Sequence, residues 1–136
     1  MRASDHPSHR FLETARKHLN HARFAADADF HAYACFNAHQ AAEKAVKAVH
    51  YANGALVVFG HGIRQLIEDL NTPSLAASLS AAHRLDPYYA ATRYPNRPDD
   101  GTPEESFSSD RSARALGLAH DIVTAAAHII HASART

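Results

Sequence analysis

Apolar residues recur along this chain at helical intervals. Leu12, Ala15, Leu19, Ala22 and Ala26 mark one face of a helix predicted from His9 to about Ala26. Asp27 to Asp29 interrupts that pattern and offers a cap for a second helix, predicted from Phe30 to Asn53 with Gly54 as its stop. Ala34, Ala38, Ala41, Ala45, Ala48 and Ala52 form a seam along it, spaced at about the 3.6-residue helical repeat. Cys35, Ala42, Val46 and Val49 widen this seam into a broad apolar face. Small side chains let a neighbouring helix approach closely, which predicts a central position for this helix. Its other stripe is polar: Asn37, Gln40, Lys44 and Lys47. Glu43 stands four residues before Lys47, a surface pairing that contributes about 0.2–0.5 kcal/mol.

The run ALVVFG, residues 55–60, is too short for a helix and reads as a packed connection. Ile63, Leu66, Ile67 and Leu70 then repeat the helical template. Thr72 and Pro73 supply an N-cap and a first helical position for a fourth helix carrying Leu75, Leu79 and Ala82, which Asp86–Pro87 ends or kinks. Residues 92–106, rich in proline and acids, read as a loop. A last helix begins near Ser109–Asp110 and aligns Leu116, Ala119, Val123, Ala126 and Ile130. No segment reads as a strand. The pattern predicts an all-α protein, an antiparallel bundle, with a flexible tail over residues 1–8 and one domain over 9–134.

A chain of 136 residues has room for one domain and a real core. Lysine and arginine balance aspartate and glutamate at 14 each, so any contact with nucleic acid has to come from a local patch. Cys35 is the only cysteine, which excludes an internal disulfide and a cysteine-based zinc site and suits a reducing, cytoplasmic setting. No secretory leader opens the sequence, and no uninterrupted apolar run approaches the roughly 20 residues that span a bilayer, so no membrane association is expected. The 12 histidines are unusual, and most are expected on solvated helix faces.

Three runs, ACFNAHQAAEKAVKAVH (34–50), GHGIRQLIEDL (60–70) and LDPYYAATRYPN (85–96), resemble in order and spacing the HEPN domain proteins. The resemblance extends over residues 10–131. It implies an up-and-down four-helix bundle with an additional short helix, usually a homodimer. It also implies a role in binding nucleotides or RNA, often beside a minimal nucleotidyltransferase in a pair of toxin–antitoxin character. Many members of the family are metal-independent ribonucleases that use an Arg-x(4–6)-His motif. A histidine can move the proton of a 2′-hydroxyl while an arginine stabilises the phosphorane charge.

Arg2–His9, Arg16–His21 and Arg114–His120 satisfy that spacing, but about three such pairs are expected from composition alone. In active relatives the arginine stands just before the last helix. The nearest equivalent, Arg93, is followed by Pro98, Asp99 and Asp100 where the histidine belongs, and Arg114–His120 falls inside the helix. The alternatives are therefore a nucleotide- or RNA-binding module and an endoribonuclease using an Arg/His pair such as Arg114 and His120. Candidate phosphate contacts are His61 at a helix start, Lys44 and Lys47, and Arg93, Tyr94 and Arg97. These last three share a stretch with Arg84, Tyr88 and Tyr89, where arginines can grip phosphate and tyrosines can stack on bases, or simply pack the chain. His18–His21, His128–His131 and His39–Glu43 have metal-ligand spacing, but no Glu-x-x-His motif of the kind that builds metal sites in bundles is present, and no cofactor is expected.

Overall fold

The computed structural model describes residues 5–92 and 107–134, and within them every regular element is a helix. Helix α1 spans Pro7–Asp27 and α2 spans His31–Ala52. Helix α1 starts two residues before the apolar pattern because Pro7 occupies its first turn and the His6 side chain accepts from the Ser8 N–H. A tight turn through Asp29, at φ 65°, reverses the chain into α2. Gly54, at φ 102°, lets it leave α2 in a conformation that disfavours any other residue.

Helix α2 is the central element, in contact with every other helix of the bundle. Its alanine seam is buried from Ala34 to Ala48, together with Cys35, Ala42, Val46 and Val49, as the small-residue pattern predicts. The polar stripe is a different matter. Asn37, Glu43 and Lys47 are buried as well. With neighbours on all sides, α2 has no solvent face along most of its length.

Helix α3 runs Ile63–Leu70 and buries Ile63, Leu66 and Ile67. The single fourth helix expected from Pro73 to Asp86 is broken in two. Pro73–Ser78 is a 3₁₀ turn and Leu79–Leu85 forms α4, followed after Pro87 by the single turn α5, Tyr88–Ala91. Leu75, Ala82 and Leu85 anchor this broken run in the core, and α3 with it fills the fourth side of the bundle. The last helix, α6, spans Ser109–Ala134 and packs against α1 and α2 through Ala119, Ile122, Val123 and Ala126. By length and composition α6 could cross a membrane, although it holds no uninterrupted apolar run of that length, and its apolar stripe is the one seated in the bundle.

The 55–60 connection also departs from expectation. Only Val58 packs against the core, while Leu56, Val57 and Phe59 face outward. The histidines follow the expected majority. Eight are exposed, and the remaining four join helices. His18 donates to Asn37, His31 to Ser112 on α6, and His50 to the Leu66 carbonyl on α3, while His39 lies fully inside.

Candidate functional site

Two groups of polar side chains meet at the kink between α4 and α5. The first is built on α2. Glu43 has no exposed surface, and His61 Nδ1 donates to its Oε1 at 2.9 Å. Its Oε2 makes no hydrogen bond but lies 3.4 Å from the Lys44 ammonium and 3.5 Å from that of Lys47. His61 stacks on Tyr89 with ring centroids 4.4 Å apart. His39, one turn before Glu43, points its Nε2 towards Asp86 Oδ1 at 3.6 Å, longer than a hydrogen bond.

Asp86 organises the kink. Its carboxylate accepts the Ile63 N–H at 2.6 Å and the Arg64 N–H at 3.2 Å, capping α3 from a distant part of the chain. Burial pushes the Asp86 carboxyl up, but the His39 imidazole and the two backbone N–H donors outweigh it and hold the group below its ordinary value. The N-terminus of α3, next to His61, looks from the sequence like a place for phosphate. Its free N–H groups are instead taken by an internal carboxylate.

The second group lies on the other side of α5. Arg84 from α4, Tyr88 from α5, and Ser108, Arg111, Arg114 and Leu118 at the start of α6 line a cleft of about 290 Å³. Arg111 lies over the rings of Tyr88 and Phe107, 5.3 and 4.3 Å from their centroids, and its Nε donates to the Tyr88 hydroxyl at 3.4 Å. Tyr88 meets Phe107 edge-on, which fixes the aromatic floor under the guanidinium. No acidic residue lines this cleft among the described residues.

The structure thus gathers three of the sequence candidates, His61, Lys44 and Lys47, but around a buried carboxylate. Arg93, Tyr94 and Arg97 lie outside the described residues. Arg114 and His120 are not brought together. Six residues apart on α6, they face different clefts, Arg114 beside Arg84 and His120 beside α1. Arg84 and Tyr88 fall within the stretch singled out from the sequence, whereas Arg111 carries no signal there beyond its place at a helix start. Glu43 was legible only as a surface pair, because its burial depends on α3 and α5 covering α2. No three histidine, cysteine, aspartate or glutamate side chains converge as a metal set among the described residues.

The fold and its sequence have clear relatives. A protein of known structure from Thermus thermophilus is 35% identical, with a TM-score of 0.83 over 91% of this chain and 98% of its own. An archaeal HEPN homologue is 29% identical, with a TM-score of 0.76 over 90% of this chain and 97% of its own. A HEPN domain protein from Thermotoga maritima is 27% identical, with a TM-score of 0.73 over 90% and 98%. No curated protein matches the chain. The model of the HEPN domain matches residues 8–130, nearly the whole bundle from the start of α1 to the last turns of α6. The chain therefore belongs to the HEPN domain family.

Proposed function

We propose that this protein is a nucleotide- or RNA-binding module. The observation that carries the proposal is the cleft in which Arg84, Arg111 and Arg114 converge beside Tyr88, with no carboxylate in its lining among the described residues. Guanidinium groups present paired donors that match phosphate oxygens, and the half-buried Tyr88 ring borders the same cleft. The protein acts as a homodimer in the cytoplasm and works with a minimal nucleotidyltransferase in a toxin–antitoxin-like pair. The outward-facing Leu56, Val57 and Phe59 support self-association, and the buried free thiol of Cys35 suits a reducing compartment.

The test is titration of the wild type with labelled ATP and with a short single-stranded RNA, beside Arg84→Ala, Arg111→Ala and Arg114→Ala. Each lost charge-assisted contact is worth about 1.5–3 kcal/mol, so affinity should fall at least tenfold while melting curves change little. Wild-type affinity in all three variants would sink the proposal. The endoribonuclease alternative is checked on the same samples. Metal-independent cleavage of the RNA that disappears in both Arg114→Ala and His120→Ala would replace a binding module with an enzyme.

A further inference from the structure

The 12 histidines of the chain are not scattered at random. Helices α1 and α6 run antiparallel, and a cleft of about 510 Å³ lies between them. Arg16, Asn20 and Arg23 line it from α1, at spacings that keep them on one helix face. His120, Thr124, His128 and His131 line it from α6 in the same manner. Leu19, Val123 and Ala127 form the floor. A second cleft, of about 400 Å³, continues past the end of the first, sharing Arg16 and His131 with it and adding His6 and His9. Five histidines and two arginines therefore lie along one seam.

We propose that this seam is a second anion site, distinct from the arginine cleft, which takes a chain of phosphates and grips it more tightly as pH falls. The ligand chemistry follows from shape and charge. His120 and His131 are 11 residues apart on one helix, about 16 Å at a rise of 1.5 Å per residue. That length suits several successive phosphates, as in single-stranded nucleic acid or inorganic polyphosphate, and is too long for a single anion. The polar lining is cationic or neutral in both clefts. Among the described residues, two acids pair with its lining: Glu13 lies 3.3 Å from Arg16, and Asp121 3.8 Å from His120. Asn20 accepts from Arg23 at 3.3 Å, and His6 is engaged with Ser8 at 2.8 Å. The only residue of α2 lining the seam is Ala52, which adds no charge.

The arginines supply a constant attraction. Histidine is the residue type whose charge changes across neutral pH, so the three imidazoles on α6 make the strength of the site depend on acidity. The consequence is quantitative. Binding a single strand through Z cations gives a slope of about −0.7Z in log affinity against log salt. Two arginines alone give about −1.4, and three added imidazolium groups steepen this to about −3.5.

The test uses the full chain carrying Arg84→Ala and Arg111→Ala, so that the other cleft is silent. Labelled oligouridylate and labelled polyphosphate are titrated by fluorescence anisotropy at about pH 7.5 and about pH 6, across a salt series. Affinity for at least one of the two should rise tenfold or more at the lower pH, with the steeper salt slope. Tightening for both ligands identifies the phosphate chain as what is read. Tightening for oligouridylate alone identifies nucleic acid as the source, and for polyphosphate alone the inorganic chain. Adding His120→Gln, His128→Gln and His131→Gln should remove most of the gain yet leave affinity at the higher pH. Adding Arg16→Gln and Arg23→Gln should weaken binding at both. Melting curves confirm that each variant is folded. Binding that does not tighten at the lower pH for either ligand, or a gain undiminished by loss of the three histidines in a folded variant, overturns the proposal.

Discussion

A carboxylate with no exposed surface is stable only where its charge is answered. Glu43 is answered by three cationic or proton-donating groups, the Lys44 and Lys47 ammonium groups and the His61 ring. Lys47 is itself almost fully covered, so removing Glu43 strands a buried ammonium group. Breaking such a buried pair from one side costs about 3–5 kcal/mol. Glu43→Ala should therefore lower stability to chemical denaturant by that amount. A loss below about 1 kcal/mol would place the group effectively in solvent. Asp86 makes a second prediction. Its folded value lies below the ordinary 3.8, so its stabilising contribution is complete above that value and is lost as pH falls through the lower, folded one. Asp86→Asn should flatten the fall in melting temperature on the acid side of about pH 4, and should cost about 1 kcal/mol at neutral pH through the weakened cap on α3. An acid limb identical to that of the wild type would show that Asp86 does not carry this dependence.

At the scale of elements, what could be read from the sequence was decided by whether a signal is local. The alanine seam of α2 is local, and it placed this helix at the centre of the bundle correctly. Ala41 and Ala45 have no exposed surface, so Ala41→Leu or Ala45→Leu has to push a neighbouring helix away. Overpacking of this kind costs about 1–3 kcal/mol, read as a lower melting temperature. An unchanged melt would mean that the seam is not a close helix contact. The apolar template of α3 was equally legible, since Ile63, Leu66 and Ile67 are all buried. Other features depend on partners distant in sequence. Asp86 was visible only as a helix breaker, but its carboxylate caps a helix 23 residues away. The split of the fourth helix into a 3₁₀ turn and α4 reflects how Leu75 and Leu85 reach the core, which no periodicity encodes. The apolar content of residues 55–60 implied burial, and the structure turns most of it outward. The arginine cleft is assembled from α4, α5 and α6, so only its Arg84–Tyr88 part stood out as a cluster in the sequence.

For the whole molecule, the exposed apolar surface is the feature that isolated folding leaves unexplained. Leu56 is 93% exposed and Phe59 85%, in a connection whose Val58 is tied to the core and so holds the others in place. A second apolar corner, Phe24 and Phe30, lies at the α1–α2 turn. Leaving several large apolar side chains in water forgoes about 1.5–3 kcal/mol for each that could be fully buried. A second copy of the chain is the partner always available at equal concentration, and a symmetric interface needs only one self-complementary patch. Stable interfaces cover about 800 Å² on each partner, more than the connection alone provides, so flanking helix surface has to join it. Light scattering should give twice the chain mass for the wild type at micromolar protein. Leu56→Asp with Phe59→Asp should give the mass of one chain without loss of helical content, because neither side chain supports the core. Phe24→Ser with Phe30→Ser is the control at the other corner and should remain dimeric. A wild type that scatters as a single chain would remove the homodimer. A dimer that survives the first double variant but not the second would move the interface to the α1–α2 corner.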